Sequence, residues 1–454
     1  MSSAAPFPMT LVERLNRRLG SVGRKGAVSA IMSGVASALD LISFAIVARI
    51  LSPANLGIFL IALAVGTIVG RVGSPNFAQT FMRHTVRAIE QQRASDLRHI
   101  LHLALVFESG LLALGLGSGV VAAALLVPLD DHTLFAAVII TVLFPALRPP
   151  LLAIAIPRAF GRHEAVAGWI MLGALAKVTI LAVVLLGNGG MIGVAIAFAA
   201  GALVLAIGGL TITVVQARHY GALSVRRSGP NSFAERHEDF WTLTRVGAIA
   251  VLPQIVVEFS TVMLGALSGV LAAGVYRLST KVGEAERIYT TPIAFVVYSE
   301  QCKAVEQLNL QRLWRQTIRW SLFVGAVTAL GLGLFVIAGP FLVEIIFGEG
   351  YGAAVPVMTL CIVAAVPHSM ALLLQFGLFA LGAANHVLCA ESVAAIVFLL
   401  IIAIYQTPSA EQAAIALAVS RGAALSAFVV LFTLVLRQRK ADLNKRATHP
   451  AQGP

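Results

Sequence analysis

An all-α membrane protein of about twelve transmembrane helices in two six-helix halves is predicted by three observations. Of the 454 residues, 58% are hydrophobic and only 12% are charged, far below the roughly 25% charged content of an ordinary soluble domain. The mean hydropathy is +0.88. Apolar stretches long enough to cross about 30 Å of hydrocarbon recur along the chain, and lysine and arginine fall almost wholly in alternate connections between them. A water-soluble fold cannot hide so much apolar surface. The formal net charge of +12 therefore reads as a topology signal and not as a nucleic-acid surface, which needs a polar background for its basic patch.

In chain order, spans are expected near 26–48, 55–73, 99–127, 133–157, 164–187, 191–216, 242–266, 271–298, 320–346, 354–382, 386–405 and 411–436. The basic N-terminal tail, with Arg14, Arg17, Arg18, Arg24 and Lys25, leads into the first of these without a small-residue cleavage site, as an uncleaved first span does. Placing that tail in the cytoplasm puts the basic loops on the same side: Arg83 to Arg98, Arg158 and Arg162, Arg218 to Arg236, Lys303 to Arg319, and the tail from Arg437. The opposite connections (52–55, 130–132, 188–190, 267–270, 347–353 and 406–411) contain no lysine or arginine. The positive-inside rule then predicts a multi-pass protein of the bacterial cytoplasmic (inner) membrane with both termini cytoplasmic and an even number of spans.

The longest polar connection, 217–241, divides the chain. The organisation expected is a tail (1–25), an N-terminal half (26–216), the linker, a C-terminal half (242–436) and a second tail (437–454). Each half opens with a similar hairpin: Leu51-Ser52 before Gly57-Ile58-Phe59, and Leu267-Ser268 before Gly274-Val275-Tyr276. Six spans per half give both halves the same orientation, so the pair suggests a parallel repeat. Proteins built this way hold cargo near the midplane, between the halves.

Charges at membrane depth cost some kcal/mol each and usually face a cavity. Here they are Asp40, Arg71, Lys177, Arg245, Glu258, Arg277, Lys281, Glu284, Glu286, Arg287, Glu391 and Arg421. Residues 277, 281 and 284 are spaced by four and three and share one helical face. The simplest structural role is mutual pairing, with Arg71, Arg245 and Arg287 snorkelling to an interface. So many charges in neighbouring spans point further, to a hydrated cavity with basic residues in excess and an anionic cargo. Arginine forks suit phosphate or pyrophosphate oxygens. The head-group binding set is Arg277, Lys281, Arg245 and Arg71; the candidate ion-coupling carboxylates are Asp40, Glu258 and Glu284. Glu391 and Arg421 are assigned to structure. Pro253 and Pro292 should kink the seventh and eighth spans. Cys302, Cys361 and Cys389 lie far apart with no CxxC spacing, so no disulfide or metal site is expected.

Three segments resemble a known family in succession. Ala48-Arg49-Ile50-Leu51-Ser52-Pro53 with Asn55-Leu56-Gly57-Ile58-Phe59 is similar to its first-hairpin turn, although the family usually has an acidic residue where Asn55 stands. Gly274-Val275-Tyr276-Arg277 with Lys281, and Phe347-Gly348-Glu349-Gly350-Tyr351 with Ala353, Ala354 and Pro356, follow in order. The chain resembles the polysaccharide (O-antigen type) branch of the multidrug/oligosaccharidyl-lipid/polysaccharide exporter superfamily over roughly residues 25–436. The resemblance implies a V-shaped alternating-access flippase. It would carry polyprenyl-diphosphate-linked oligosaccharide to the periplasmic leaflet for polysaccharide or lipopolysaccharide biosynthesis, with Arg277 and Lys281 on the anionic head group. Membrane lipids, H⁺ or Na⁺ and polysaccharide assembly proteins are the implied partners, and neither nucleic acid nor a cofactor is.

Two other functions compete. A drug/cation antiporter of the same superfamily would favour an anionic or aromatic cavity, and only four Trp and six Tyr are present. A membrane enzyme such as an O-antigen polymerase or ligase would present a substantial periplasmic loop. Every outer connection expected here is short, and there is no HExxH, P-loop or GxSxG motif, so an enzyme is not expected.

Overall fold

The computed structural model describes residues 11–73, 77–90, 92–128, 131–145, 151–222 and 255–448. The N-terminal part comprises α1 (Leu11–Ile50), α2 (Pro53–Gly73), α3 (Phe77–Glu90), α4 (Ala94–Leu126), α5 (His132–Leu143), a π turn (Leu151–Ala155) running into α6 (Ile156–Ala159), α7 (His163–Leu186) and α8 (Gly190–His219). The C-terminal part comprises α9 (Ile255–Ser268), α10 (Val270–Gly283), a 3₁₀ turn (Glu284–Glu286), α11 (Arg287–Glu306), α12 (Leu310–Phe347), α13 (Val355–Ala380), α14 (Ala384–Ile404) and α15 (Ala410–Thr448). Among the described residues, nine helices are long and apolar enough to cross a membrane. Large apolar side chains such as Leu125, Leu186, Ile337 and Ile404 stand exposed on the outside, as a lipid-facing surface requires.

The fourth, seventh and eighth expected spans are the ones that differ. Of the fourth, α5 and the stretch from Leu151 are described, and residues 146–150 lie outside the described residues. In the π turn, the buried Glu108 of α4 accepts from the backbone N–H groups of Leu151 (2.8 Å) and Leu152 (3.0 Å). The carboxylate thus satisfies donors that a helix start leaves open. Of the seventh span only α9 is described; Arg245, Pro253 and most of the 217–241 linker lie outside the described residues. The eighth runs from α10 into α11 with a 3₁₀ turn at its middle in place of one continuous helix. Residues 77–90, expected as cytoplasmic loop, form α3, which buries Phe81 and Ala88 against Leu97, Ile100, Leu151 and Ile156. Phe77, Phe81 and Ala88 recur at helical spacing, as do Arg83 and Arg87 four residues apart; alone the helix is too short to register as a span.

The two parts share an order of neighbours. In the first, α2 packs on α4 and α5, α4 on α5, α5 on α8, and α7 on α8. In the second, the α10–α11 unit packs on α12 and α13, α12 on α13, α13 on α15, and α14 on α15. The parts meet where α2 crosses α10 and where α1 runs beside α11 and α12. At the crossing, a Cβ on Gly57 would stand 2.1 Å from the carbonyl oxygen of Val270, and one on Gly274 would stand 2.9 Å from the Gly57 Cα. Only glycine allows that approach. The repeated Leu-Ser…Gly hairpins therefore supply, one from each part, the two glycines of their junction. Beside it the Tyr351 hydroxyl donates to the Ala48 carbonyl (3.1 Å), and the Arg49 guanidinium donates to the carbonyls of Ile345 and Ile346 at the end of α12. Phe44, Phe59 and Phe198 pack edge-to-face beneath this junction, with ring centroids 5.2 to 5.8 Å apart.

Candidate functional site

About one to two turns inward from the glycine crossing, α1, α2, α7, α8, α9 and α10 surround a cavity of about 470 Å³. Its apolar wall includes Phe44, Phe144 and Phe198. Its charged lining consists of Asp40 (α1), Arg71 (α2), Lys177 (α7), Glu258 (α9), Arg277 and Lys281 (α10), so basic side chains outnumber acidic ones. The 277/281 stripe reaches the cavity because the two residues are one helical turn apart on α10.

Nearly every charge here has a local partner. Lys177 pairs with Asp40, which is about half exposed to the cavity at 50%, and lies 4.7 Å over the Phe198 ring. Arg277 is 1% exposed; one end of its guanidinium donates to Glu258, and the other lies 3.6 Å from Glu284. Lys281 donates to Glu284 at 2.8 Å and lies 5.5 Å from the Phe44 ring centre. Arg71, in the last turn of α2, differs in having no ion pair among the described residues; its Nε, like that of Arg277, is buried with no hydrogen-bond partner among them. With the three carboxylates matched to Lys177, Arg277 and Lys281, Arg71 supplies the excess positive charge. The Arg277–Glu258 pair is deeply buried, and removing one member of such a pair costs about 3–5 kcal/mol because the other is left charged and unpaired.

The structure thus brings Arg71, Arg277 and Lys281 together with Asp40 and Glu258 around one cavity, with Glu284 immediately behind. Arg245 lies outside the described residues. Glu391 and Arg421 approach to 3.5 Å within the C-terminal part. Sequence reasoning named Lys177 only as an intramembrane charge; its position as partner of Asp40 depends on α1 and α7 packing together, which no local pattern announces. Glu108 was not singled out at all. Among the described residues there is no group of His, Cys, Asp and Glu that could hold a metal ion.

Comparison with solved structures places this architecture. The chain resembles the inward-facing conformation of a multidrug resistance MATE family transporter of the MOP superfamily, at a TM-score of 0.59 and 14% identity over 94% of this chain and 97% of that one. This is the fold of the MATE transporters of the MOP superfamily. An outward-facing structure of a MATE transporter matches similarly, with a TM-score of 0.58 and 17% identity over 92% of this chain and 95% of that one. So does a MOP superfamily transporter from Pyrococcus furiosus, described for a binding pocket whose reverse polarity suggests a different function, with a TM-score of 0.54 and 16% identity over the same shares. No family model and no curated protein matches the sequence. The two-lobed MATE fold gives the α2–α10 crossing its meaning as the place where two lobes of a membrane protein meet, with the charged cavity between them.

Proposed function

We propose that the chain is a secondary transporter that flips a polyprenyl-diphosphate-linked oligosaccharide from the cytoplasmic to the periplasmic leaflet of the bacterial inner membrane. The observation that carries this reading is the cavity at the lobe junction, where basic side chains exceed acidic ones and Arg71 presents a buried, unpartnered donor. A diphosphate would satisfy Arg71 and compete with Glu284 for Lys281, since arginine forks and lysine ammonium groups both bind phosphate oxygens. About 470 Å³ is within the range of small-ligand sites. It accommodates a head group while the polyprenyl tail stays in lipid. In this reading the halves are 26–216 and 242–436, both termini are cytoplasmic, and the glycine crossing closes the periplasmic side.

The MATE neighbours described as multidrug resistance transporters favour a second reading, a drug/cation antiporter, in which Asp40 and Glu258 would face a cationic cargo. A single assay separates the two. Proteoliposomes containing the purified protein are loaded with a short-chain polyprenyl diphosphate bearing a fluorescent disaccharide, or with ethidium. Faster loss of leaflet asymmetry of the lipid than in protein-free vesicles, with no ethidium efflux, is expected; ethidium movement without lipid flipping would assign the chain to the antiporters.

A further inference from the structure

A second, smaller cavity of about 40 Å³ lies inside the C-terminal lobe, lined by residues of α9, α10, the 3₁₀ turn, α11, α13 and α15, with Arg287 and Arg421 as its two basic side chains. That space is enough for about one water molecule. On its wall, Glu286 of the turn has a side chain only 5% exposed, with Oε1 3.9 Å from Nε2 of His368 on α13. Its other oxygen, Oε2, is buried without a hydrogen-bond partner, and the Thr290 hydroxyl stands beside it without completing a bond of ordinary geometry.

The remaining charged or titratable groups around the pair are accounted for. Arg421 of α15 approaches Glu391 of α14, and Glu284 is held by Lys281 and Arg277 of α10. Arg287 lines the same cavity and Tyr289 follows on α11, while Cys361 lies on α13 and Tyr276 on α10. The carboxylates expected to couple an ion, Asp40, Glu258 and Glu284, all have a lysine or arginine partner. Each of them is therefore already committed to a neighbouring cation in this arrangement. Glu286 faces an imidazole instead, with Nε2 of His368 at 3.9 Å.

We propose that Glu286 and His368 share one exchangeable proton and form the coupling site of this transporter. The bound proton sits either on His368, opposite the Glu286 carboxylate, or on Glu286 itself; its release leaves a buried carboxylate and a neutral imidazole, which the lobe tolerates only when water enters. The 3₁₀ turn links this event to the large cavity, because Glu286 faces His368 while Glu284, two residues earlier, holds Lys281 and Arg277. The turn is seated tightly on α13, where a Cβ on Gly283 would stand 2.8 Å from the Cys361 carbonyl oxygen. A shift between α13 and the turn therefore moves both sets of charges. The coupling role rests on the transporter reading, but the proton site can be tested without cargo.

Spin labels at Leu186→Cys and Ile404→Cys, both exposed at the ends of α7 and α14, report the separation of the lobes in purified protein reconstituted in nanodiscs. The distance distribution of the otherwise native chain is expected to shift between about pH 5.5 and about pH 8. That shift is expected to vanish in both Glu286→Gln and His368→Gln, each checked as monodisperse by size-exclusion chromatography. A pH response retained in the two variants, no response in the parent, or a response to Na⁺ at fixed pH in place of the pH response would overturn the proposal. Failure of the flipping assay with this pH response intact would overturn the cargo assignment alone.

Discussion

Lys281→Ala is expected to reduce transport of an anionic lipid-linked cargo about ten- to hundredfold, the loss of one hydrogen bond to a charged group at about 1.5–3 kcal/mol, while the protein still inserts and purifies normally. Lys281 is the informative position because it is partly exposed, at 23%, and its ion-pair partner among the described residues, Glu284, also has Arg277 at 3.6 Å. Truncating it removes a ligand for the head group without stranding a buried charge. Arg277→Ala confounds two effects. It removes a donor near the cavity and also leaves Glu258 charged and buried, at a cost of about 3–5 kcal/mol in stability. The double variant Arg277→Met with Glu258→Gln is therefore expected to recover most of the folded protein that Arg277→Ala loses, and to remain inactive. Measuring membrane-inserted protein alongside flipping separates the terms. Wild-type flipping by Lys281→Ala would take this lysine out of the cargo site.

Gly57→Ala is expected to abolish closure at the lobe junction and lower transport by at least about tenfold, the equivalent of about 1.4 kcal/mol against the closed state. The added methyl would stand 2.1 Å from the Val270 carbonyl oxygen, and the obstacle is backbone, which cannot rotate aside. Arg49→Ala removes donations to the carbonyls of Ile345 and Ile346. Because Arg49 lies on an exposed surface, its loss is expected to be milder than that of the glycine. Cysteine accessibility reports the gate directly. With Leu63→Cys on the cavity wall of α2, an impermeant maleimide added on the side of the 52–55 connection should react in the Gly57→Ala background and not in the parent. Equal labelling in both would show that the α2–α10 crossing does not seal that side.

What was legible in the sequence, and what was not, follows from the range of the interactions involved. Apolar runs and the one-sided placement of arginines are local or periodic features, and they predicted the helical membrane fold. The four-and-three spacing of Arg277, Lys281 and Glu284 showed a charged stripe because it lies within one helix. The two Leu-Ser…Gly hairpins were visible as a faint repeat, yet only the packed structure shows that their glycines face each other. Pairing was less accessible. Lys177 with Asp40 and Arg277 with Glu258 depend on which helices are neighbours in space. Glu108 escaped notice because its partners are backbone N–H groups 43 and 44 residues further along the chain. The 3₁₀ turn at Glu284–Glu286 carries no proline to announce it, and continuing the helix through it hid that Glu284 and Glu286 have different partners, Lys281 and Arg277 for the first and His368 for the second.

The central claim is that the cavity between the lobes is an anion site. Equilibrium binding of a short-chain prenyl diphosphate and of tetraphenylphosphonium to the purified protein tests it most directly. Saturable, salt-sensitive binding of the prenyl diphosphate is expected, weakened about tenfold or more in Arg71→Ala and Lys281→Ala, with no saturable binding of the cation. Saturable binding of tetraphenylphosphonium that Asp40→Asn abolishes, with none of the diphosphate, would contradict it.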